Sequence, residues 1–98
     1  MNKAFRLSKL QKNTLFILYA LQQRGKRDPI PGVDILAMIN KGRELKVFPP
    51  NFRASCHTLV ANQLIRKYRS DSLQLAFTLT EAGQEPAERE YKERVKQM

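Results

Sequence analysis

The sequence is poor in the residues that build metal centres, disulfides and catalytic sites. It has one cysteine, Cys56, and one histidine, His57, and no tryptophan. A single cysteine cannot form an internal disulfide. Adjacent side chains of one helix point about 100° apart, so Cys56 and His57 do not converge as a dyad or a metal site. No glycine-rich phosphate loop is present. We therefore predict no enzymatic activity and no metal or cofactor.

Acidic side chains and long apolar runs are also scarce. The chain carries 18 lysines and arginines against 9 aspartates and glutamates, a formal charge of +9. Residues 1–69 hold 14 basic and 3 acidic side chains, and residues 70–98 hold 4 and 6. With no signal peptide and no apolar run that spans a membrane, we expect a cytoplasmic protein that seeks a polyanion, such as the DNA of the nucleoid.

The length and the first 40 residues predict a single domain with two early helices. A chain of 98 residues holds one modest core, so residues 1–98 form one domain. Residues 1–7 form either a flexible basic arm or the start of the first helix. That helix is predicted from Ser8 to Gln23, with Ser8 as its cap and Gly25 as its stop. Ile30 is predicted to form a short strand that pairs with a later β-hairpin. The second helix, from about residue 32 to 40, is expected to pack through Val33, Leu36, Ala37 and Ile39 or Asn40.

The rest of the chain is organised around a predicted third helix at residues 52–63. Pro49 and Pro50 precede Asn51, whose side chain is a suitable N-cap. The core face is expected to hold Phe52, Cys56, Leu59, Val60 and Gln63. The opposite face and its flanks carry small, polar or cationic side chains, namely Arg53, Ala54, Ser55, His57, Thr58, Ala61 and Asn62. Such a face suits entry into the major groove, although a solvated surface helix has the same composition.

A change of period from 3.6 to 2 after Leu64 predicts a β-hairpin where basic residues are dense. Arg66, Lys67 and Arg69 lie in its first strand, residues 70–72 form the turn, and Leu73, Leu75, Phe77 and Leu79 alternate along its second strand. We favour a wing of residues 66–73 that follows a phosphate backbone over an edge strand protected by charge. The connection at residues 41–50 adds Lys41, Arg43 and Lys46.

The last predicted helix, residues 84–98, has a narrow apolar seam. Pro86 suits its first turn, and Ala87, Tyr91, Val95 and Met98 recur at spacings of four, four and three. Glu88 with Lys92, and Glu90 with Arg94, are favourable i,i+4 pairs. A seam this narrow either folds back on the first helix or forms a dimer contact. We favour the dimer, because paired half-sites add affinity to a small module.

The order of these elements and two short motifs resemble the winged helix-turn-helix domains of MarR and PadR-like regulators. Gln63, Leu64 and Ile65 match the Gly-Leu-Ile step after the recognition helix, and residues 79–83 match the Leu-Thr-x-x-Gly segment after the wing. Because Gln63 replaces the glycine, we expect Asn62 to take the left-handed conformation. A further likeness is to small partition-associated proteins of plasmids and integrative elements.

The resemblance implies an α+β fold with a three-helix core, a two- or three-stranded wing and a C-terminal helix. It also implies binding to double-stranded DNA and a homodimer. We predict a transcriptional regulator or a plasmid or mobile-element maintenance factor. Ser55, His57, Thr58 and Asn62 would touch bases, while Arg53 and the basic residues of loop and wing would bind phosphates. The alternative is a winged-helix module that docks an acidic protein surface.

Overall fold

The computed structural model describes residues 6–69, 71–72 and 74–97. Its elements are helix α1 (Lys9–Gln23), strand β1 (Ile30–Pro31), helix α2 (Gly32–Asn40), helix α3 (Pro49–Ala61), strands β2 (Ile65–Arg69) and β3 (Leu75–Leu79), and helix α4 (Glu81–Lys96). The strands form one antiparallel sheet in the order β1-β3-β2. The predicted α+β class and the pairing of Ile30 with the hairpin are confirmed.

Helix α1 lies at the centre of the domain and has the predicted ends. The Gln11 amide donates to the Ser8 hydroxyl at 3.1 Å, and the Ser8 amide donates to the Gln11 side chain at 2.9 Å, a complete capping box. Gly25 follows the helix with a φ of +89°. Leu15 is fully buried, and α1 contacts α2, α3, α4 and β3. Apolar residues on both flanks of α1 are therefore covered within the domain.

The predicted packing face of α2 is partly wrong. Ile35 and Ile39 are buried, whereas Val33 is 64% exposed and Ala37 is exposed. Helix α2 follows β1 without a loop, and the pairing of β1 with β3 fixes the rotation of the helix. The first residue of α2, Gly32, sits so close to the sheet that an added Cβ would lie 3.3 Å from the Phe77 ring. The helical period alone does not contain this constraint.

Helix α3 begins earlier than predicted. Its N-cap is Phe48, and Pro49 and Pro50 occupy the first two helical positions. The first amides of a helix have no partner within the helix, so proline loses no hydrogen bond there. Asn51 is consequently a helical residue and not the cap. The side chains of Phe52, Cys56 and Leu59 are buried as expected.

The joint between α3 and β2 also differs from the prediction. Gln63 itself has a φ of 63°, while Asn62 has a φ of −84°, so the expected left-handed Asn62 is wrong. Gln63 lies beyond the end of α3 and is exposed, not part of the core face. The Thr80 hydroxyl donates to the Gln63 carbonyl oxygen at 2.6 Å. An added Cβ on Gly83 would lie 1.9 Å from the Leu64 oxygen, which explains the glycine of the Leu-Thr-x-x-Gly segment.

The hairpin has one face against the core. In its register Ile65 pairs with Leu79 and Lys67 with Phe77, and the side chains of Ile65 and Phe77 are buried. Within β2 only the first residue is buried. Ser70 and Leu73, predicted for the turn and the second strand, lie outside the described residues.

Helix α4 begins at Glu81, capped by the Thr80 hydroxyl, three residues before the predicted start. Pro86 is therefore inside the helix. It has no amide proton to donate to the carbonyl of Ala82, four residues earlier, but Ala82 is exposed to solvent. Ala87 is fully buried. The ring of Tyr91 lies 5.8 Å from that of Phe16 and 5.2 Å from that of Tyr19, both in α1. Tyr91 of the seam thus packs on α1, whereas Val95 is 47% exposed and Met98 lies outside the described residues.

Candidate nucleic-acid interface

The outer face of α3 exposes two of the four predicted base-reading side chains and leaves the other two half-buried. Arg53, His57 and Thr58 are exposed, while Ser55 and Asn62 are half-buried. The Thr58 hydroxyl donates to the carbonyl of Ala54 at 3.2 Å. Its proton is therefore used within the helix, and its oxygen is left to accept from an external donor. The predicted face is therefore exposed at Arg53, His57 and Thr58 and only partly exposed at Ser55 and Asn62.

Strand β2 divides its three cations between two faces of the sheet. Successive side chains of a strand point to opposite faces. Lys67 and Arg69 share a face with the buried Ile65, which is the face toward α3, and Arg66 lies on the other face with Tyr68. Hydrogen bonds from the side chains of Thr78 and then Arg66 lower the pKa of the Tyr68 phenol. The structure thus separates Arg66 from Lys67 and Arg69.

An open groove of about 340 Å³ lies between α2, α3 and the sheet. We call it the α3–sheet groove. Its lining is mostly apolar and comprises Gly32, Val33, Leu36, Pro49, Phe52, Cys56, Val60, Leu75 and Phe77, with Arg53, His57, Lys67, Arg69 and Gln74 as the polar residues. Four of the predicted DNA-binding residues, two from α3 and two from β2, are therefore brought together around one opening.

The basic residues of the α2–α3 connection lie elsewhere. The Asn40 side chain both donates to the Val47 carbonyl at 3.2 Å and accepts from the Val47 amide at 2.8 Å, which fixes this loop. The Lys46 ammonium donates to the Asn40 carbonyl at 2.8 Å. Arg43 lines a separate cavity with residues of α1 and α4. Lys41, like Arg43 and Lys46, is exposed, and none of the three appears among the described residues that line the α3–sheet groove.

The carboxylates do not neutralise the cations of the groove. Within the described part of the chain, the ion pairs are Glu85–Arg89 at 3.6 Å, Glu88–Lys92 at 2.9 Å and Glu90–Arg94 at 2.8 Å, all inside α4. The two predicted pairs are confirmed. Arg53, Lys67 and Arg69 therefore remain available to an external anion.

Comparisons with solved structures return several proteins with the same architecture. The adhesin competence repressor (AdcR) from Streptococcus pyogenes has a TM-score of 0.74 at 15% identity, over 94% of this chain and 60% of that one. MepR, a transcription regulator of the Staphylococcus aureus multidrug efflux pump MepA, gives 0.68 at 24%, over 95% and 63%. SSV1 F-93 gives 0.69 at 18%, over 97% and 98%. Neither a family model nor a curated protein matches the sequence.

The chain has the winged helix-turn-helix fold. In this fold α2 and α3 are the helix pair, α3 occupies the place of the recognition helix, and β2 with β3 form the wing. The fold implied by the resemblance to MarR-type regulators is thereby confirmed. The chain spans about 60% of the length of AdcR and nearly the whole length of F-93.

The winged-helix arrangement also brings in residues that the sequence did not single out for a site. Val33 and Leu36 of α2 and Pro49 of α3 line the groove beside the predicted cations. Of these residues, Val33 gave an indication in the sequence through its apolar side chain, but the helical period predicts that this side chain packs in the core. Its exposure depends on the rotation of α2 imposed by β1, as described above.

The described residues also bear on whether a reactive thiol, a metal site or a membrane-spanning helix is present. Burial raises the pKa of the Cys56 thiol to about 12, so it is a protonated core residue at neutral pH. The described residues contain no group of three or more His, Cys, Asp or Glu side chains that is able to hold a metal ion. Among the same residues, no helix is both long and apolar enough to cross a membrane.

Proposed function

We propose that the protein binds double-stranded DNA and acts as a small transcriptional regulator or as a plasmid or mobile-element maintenance factor. The observation that carries the proposal is the convergence of Arg53 and His57 from α3 with Lys67 and Arg69 from the wing, with no ion pair to a carboxylate in the part of the chain that the structure describes. A repressor and a transcription regulator among proteins of the same fold support it.

In this proposal α3 enters the major groove and the wing follows the phosphate backbone. Arg53, Lys67 and Arg69 bind phosphates across the groove opening. His57 and Thr58 contact base edges, with Ser55 and Asn62 at the borders of the reading face. The remaining cations contact the backbone on either side, namely Arg66 from the outer face of the wing, and Lys41, Arg43 and Lys46 from the loop before α3.

We further propose a homodimer in the cytoplasm, associated with the nucleoid. Val95 of α4 is 47% exposed and Met38 of α2 is 41% exposed, so apolar surface remains beside the α1–α4 contact. A dimer would present two α3 helices to two half-sites about 34–36 Å apart, which raises affinity above that of one module. The measurement is sedimentation equilibrium with Val95→Glu, which is expected to shift the protein to monomer.

The test of DNA binding is a fluorescence anisotropy titration of a mixed-sequence duplex of about 30 base pairs at several salt concentrations. Log affinity should fall linearly with log salt, by about 0.9 for each phosphate neutralised. The combined variant Arg53→Ala, Lys67→Ala and Arg69→Ala should lower this slope by about 2.7. The matched control is Arg24→Ala, Lys26→Ala and Arg27→Ala, which removes the same charge from the loop between α1 and β1.

Two results would contradict the assignment. Equal losses in the two triple variants would mean that net charge alone governs binding, not the groove cations. If the protein did not bind DNA even at low salt, the DNA-binding proposal would be wrong. The alternative would then be a protein-interaction module, and the mostly apolar lining of the groove supports that alternative.

A further inference from the structure

The α3–sheet groove has more apolar surface than contact with a phosphate backbone uses. Phosphates account for the cations at its opening, but a charged sugar-phosphate chain has few apolar groups to cover a floor that contains the half-buried Leu36, Val60 and Leu75. At its edge Val33 is 64% exposed. Exposed apolar surface with a polar rim marks a binding groove in soluble proteins.

Four of the five polar residues of the groove form two rows with a regular spacing. Arg53 and His57 are one turn apart on α3, so their Cβ atoms are about 6 Å apart. Lys67 and Arg69 are alternate residues on β2, about 6.6 Å apart. Both rows line the groove together with the apolar floor. A ligand that matches this surface carries apolar groups along its centre and negative charges on both sides.

We propose that the groove binds an amphipathic acidic helix of a partner protein. Such a helix has an apolar stripe at positions i, i+3, i+4 and i+7, and it fits a groove of this kind through that stripe. Glutamates or aspartates that flank the stripe meet Arg53 on one side and Lys67 and Arg69 on the other. A small monoanion would engage only one of the two rows. Charge complementarity therefore favours the helix as the occupant.

Occupancy by such a helix would regulate the protein. The partner would cover Arg53, Lys67 and Arg69, so it and DNA would exclude each other; this step rests on the proposed function. The docking site itself does not depend on DNA binding, because it is defined by the apolar floor and the two rows.

The test uses a fluorescent synthetic peptide of about 14 residues with leucines at i, i+3, i+4 and i+7 and glutamates on both flanks. A permuted peptide of the same composition, without the stripe, is the control ligand. Val33→Asn removes apolar surface inside the groove without changing charge, and Leu45→Asn is the matched variant, since Leu45 is 83% exposed and lies outside the groove. Circular dichroism verifies that both variants are folded.

We expect the striped peptide to bind about tenfold more weakly to the Val33→Asn protein than to the wild type, with Leu45→Asn unchanged. The permuted peptide should bind more weakly than the striped one to the wild type, and the striped peptide should displace the duplex. Equal binding of the two peptides, or equal effects of the two substitutions, would overturn the proposal. Peptide binding without DNA binding would refute the proposed function alone, and DNA binding without peptide binding would refute the docking site alone.

Discussion

Replacing Gln63 by glycine should stabilise the protein. Gln63 has a φ of 63°, and the left-handed conformation costs a residue other than glycine about 1–2 kcal/mol. Glycine offsets about 0.5–1 kcal/mol of the relieved strain, because it loses more conformational freedom on folding than other residues do. The side chain of Gln63 is exposed, and the hydrogen bond from Thr80 uses its backbone carbonyl, which glycine retains. The net gain should be about 0.5–1 kcal/mol.

Urea unfolding measures this gain as an increase in the midpoint at an unchanged m value. For a domain of this size, 1 kcal/mol corresponds to about 4–8 °C in Tm. Asn62→Gly is the matched control, since its φ of −84° offers glycine no advantage, and it should lose stability. If the Gln63→Gly protein were no more stable than the wild type, the assignment of strain to this joint would be wrong.

Three further predictions concern the packing of the domain. Gly83→Ala should destabilise the fold by about 3 kcal/mol or more in urea unfolding, because its Cβ would overlap the Leu64 carbonyl oxygen; a loss below about 1 kcal/mol would contradict this close approach. Arg94→Ala should lower the free energy of unfolding by about 1–2 kcal/mol, because this half-buried guanidinium pairs with a glutamate and lies over an aromatic ring of α1. Lys92→Ala, on the exposed side of α4, should lower it by less. Equal losses in the two variants would argue against the ring contact. The Cys56 thiol, whose pKa is raised to about 12, should react with a thiol reagent at pH 8 far more slowly in the folded protein than in urea. Because its folded pKa lies above the ordinary value of 9.0, stability should fall as pH rises above about 9.

The features predicted correctly are those that local chemistry encodes. Ser8 caps α1 as predicted, and the change of period after Leu64 defines the hairpin. The start of α3 was misplaced because Pro49 and Pro50 are compatible both with an interruption and with a first helical turn. Propensity favours Asn62 as the left-handed residue, although the backbone path places it at Gln63, the position that matches the glycine of the MarR and PadR-like motif.

Four residues that line the groove, Arg53, His57, Lys67 and Arg69, belong to the predicted set, but the sequence did not predict how they are arranged. Helical periodicity places Arg53 and His57 on the exposed face of α3. Because side chains alternate along a strand, Lys67 and Arg66 lie on opposite faces of the sheet, and the burial of Ile65 shows which face is which. The groove exists because α2 turns Val33 outward, and the sheet pairing that sets this rotation joins residues more than 40 positions apart. Contacts of that range leave no periodic trace in the sequence, so their consequences emerged only from the fold.

The distribution of ion pairs separates the charges that hold the fold from those available for binding. The described ion pairs lie within α4, where exposed pairs contribute about 0–1 kcal/mol each. Among the described residues the cations at the groove have no such partners, so they repel one another in the free protein. Added salt therefore has opposite effects on the two equilibria. It screens this repulsion and slightly favours folding, while it weakens the attraction of Arg53, Lys67 and Arg69 to phosphates. A ligand that supplies the missing negative charge should in turn raise the stability of the domain, because it binds the folded state alone.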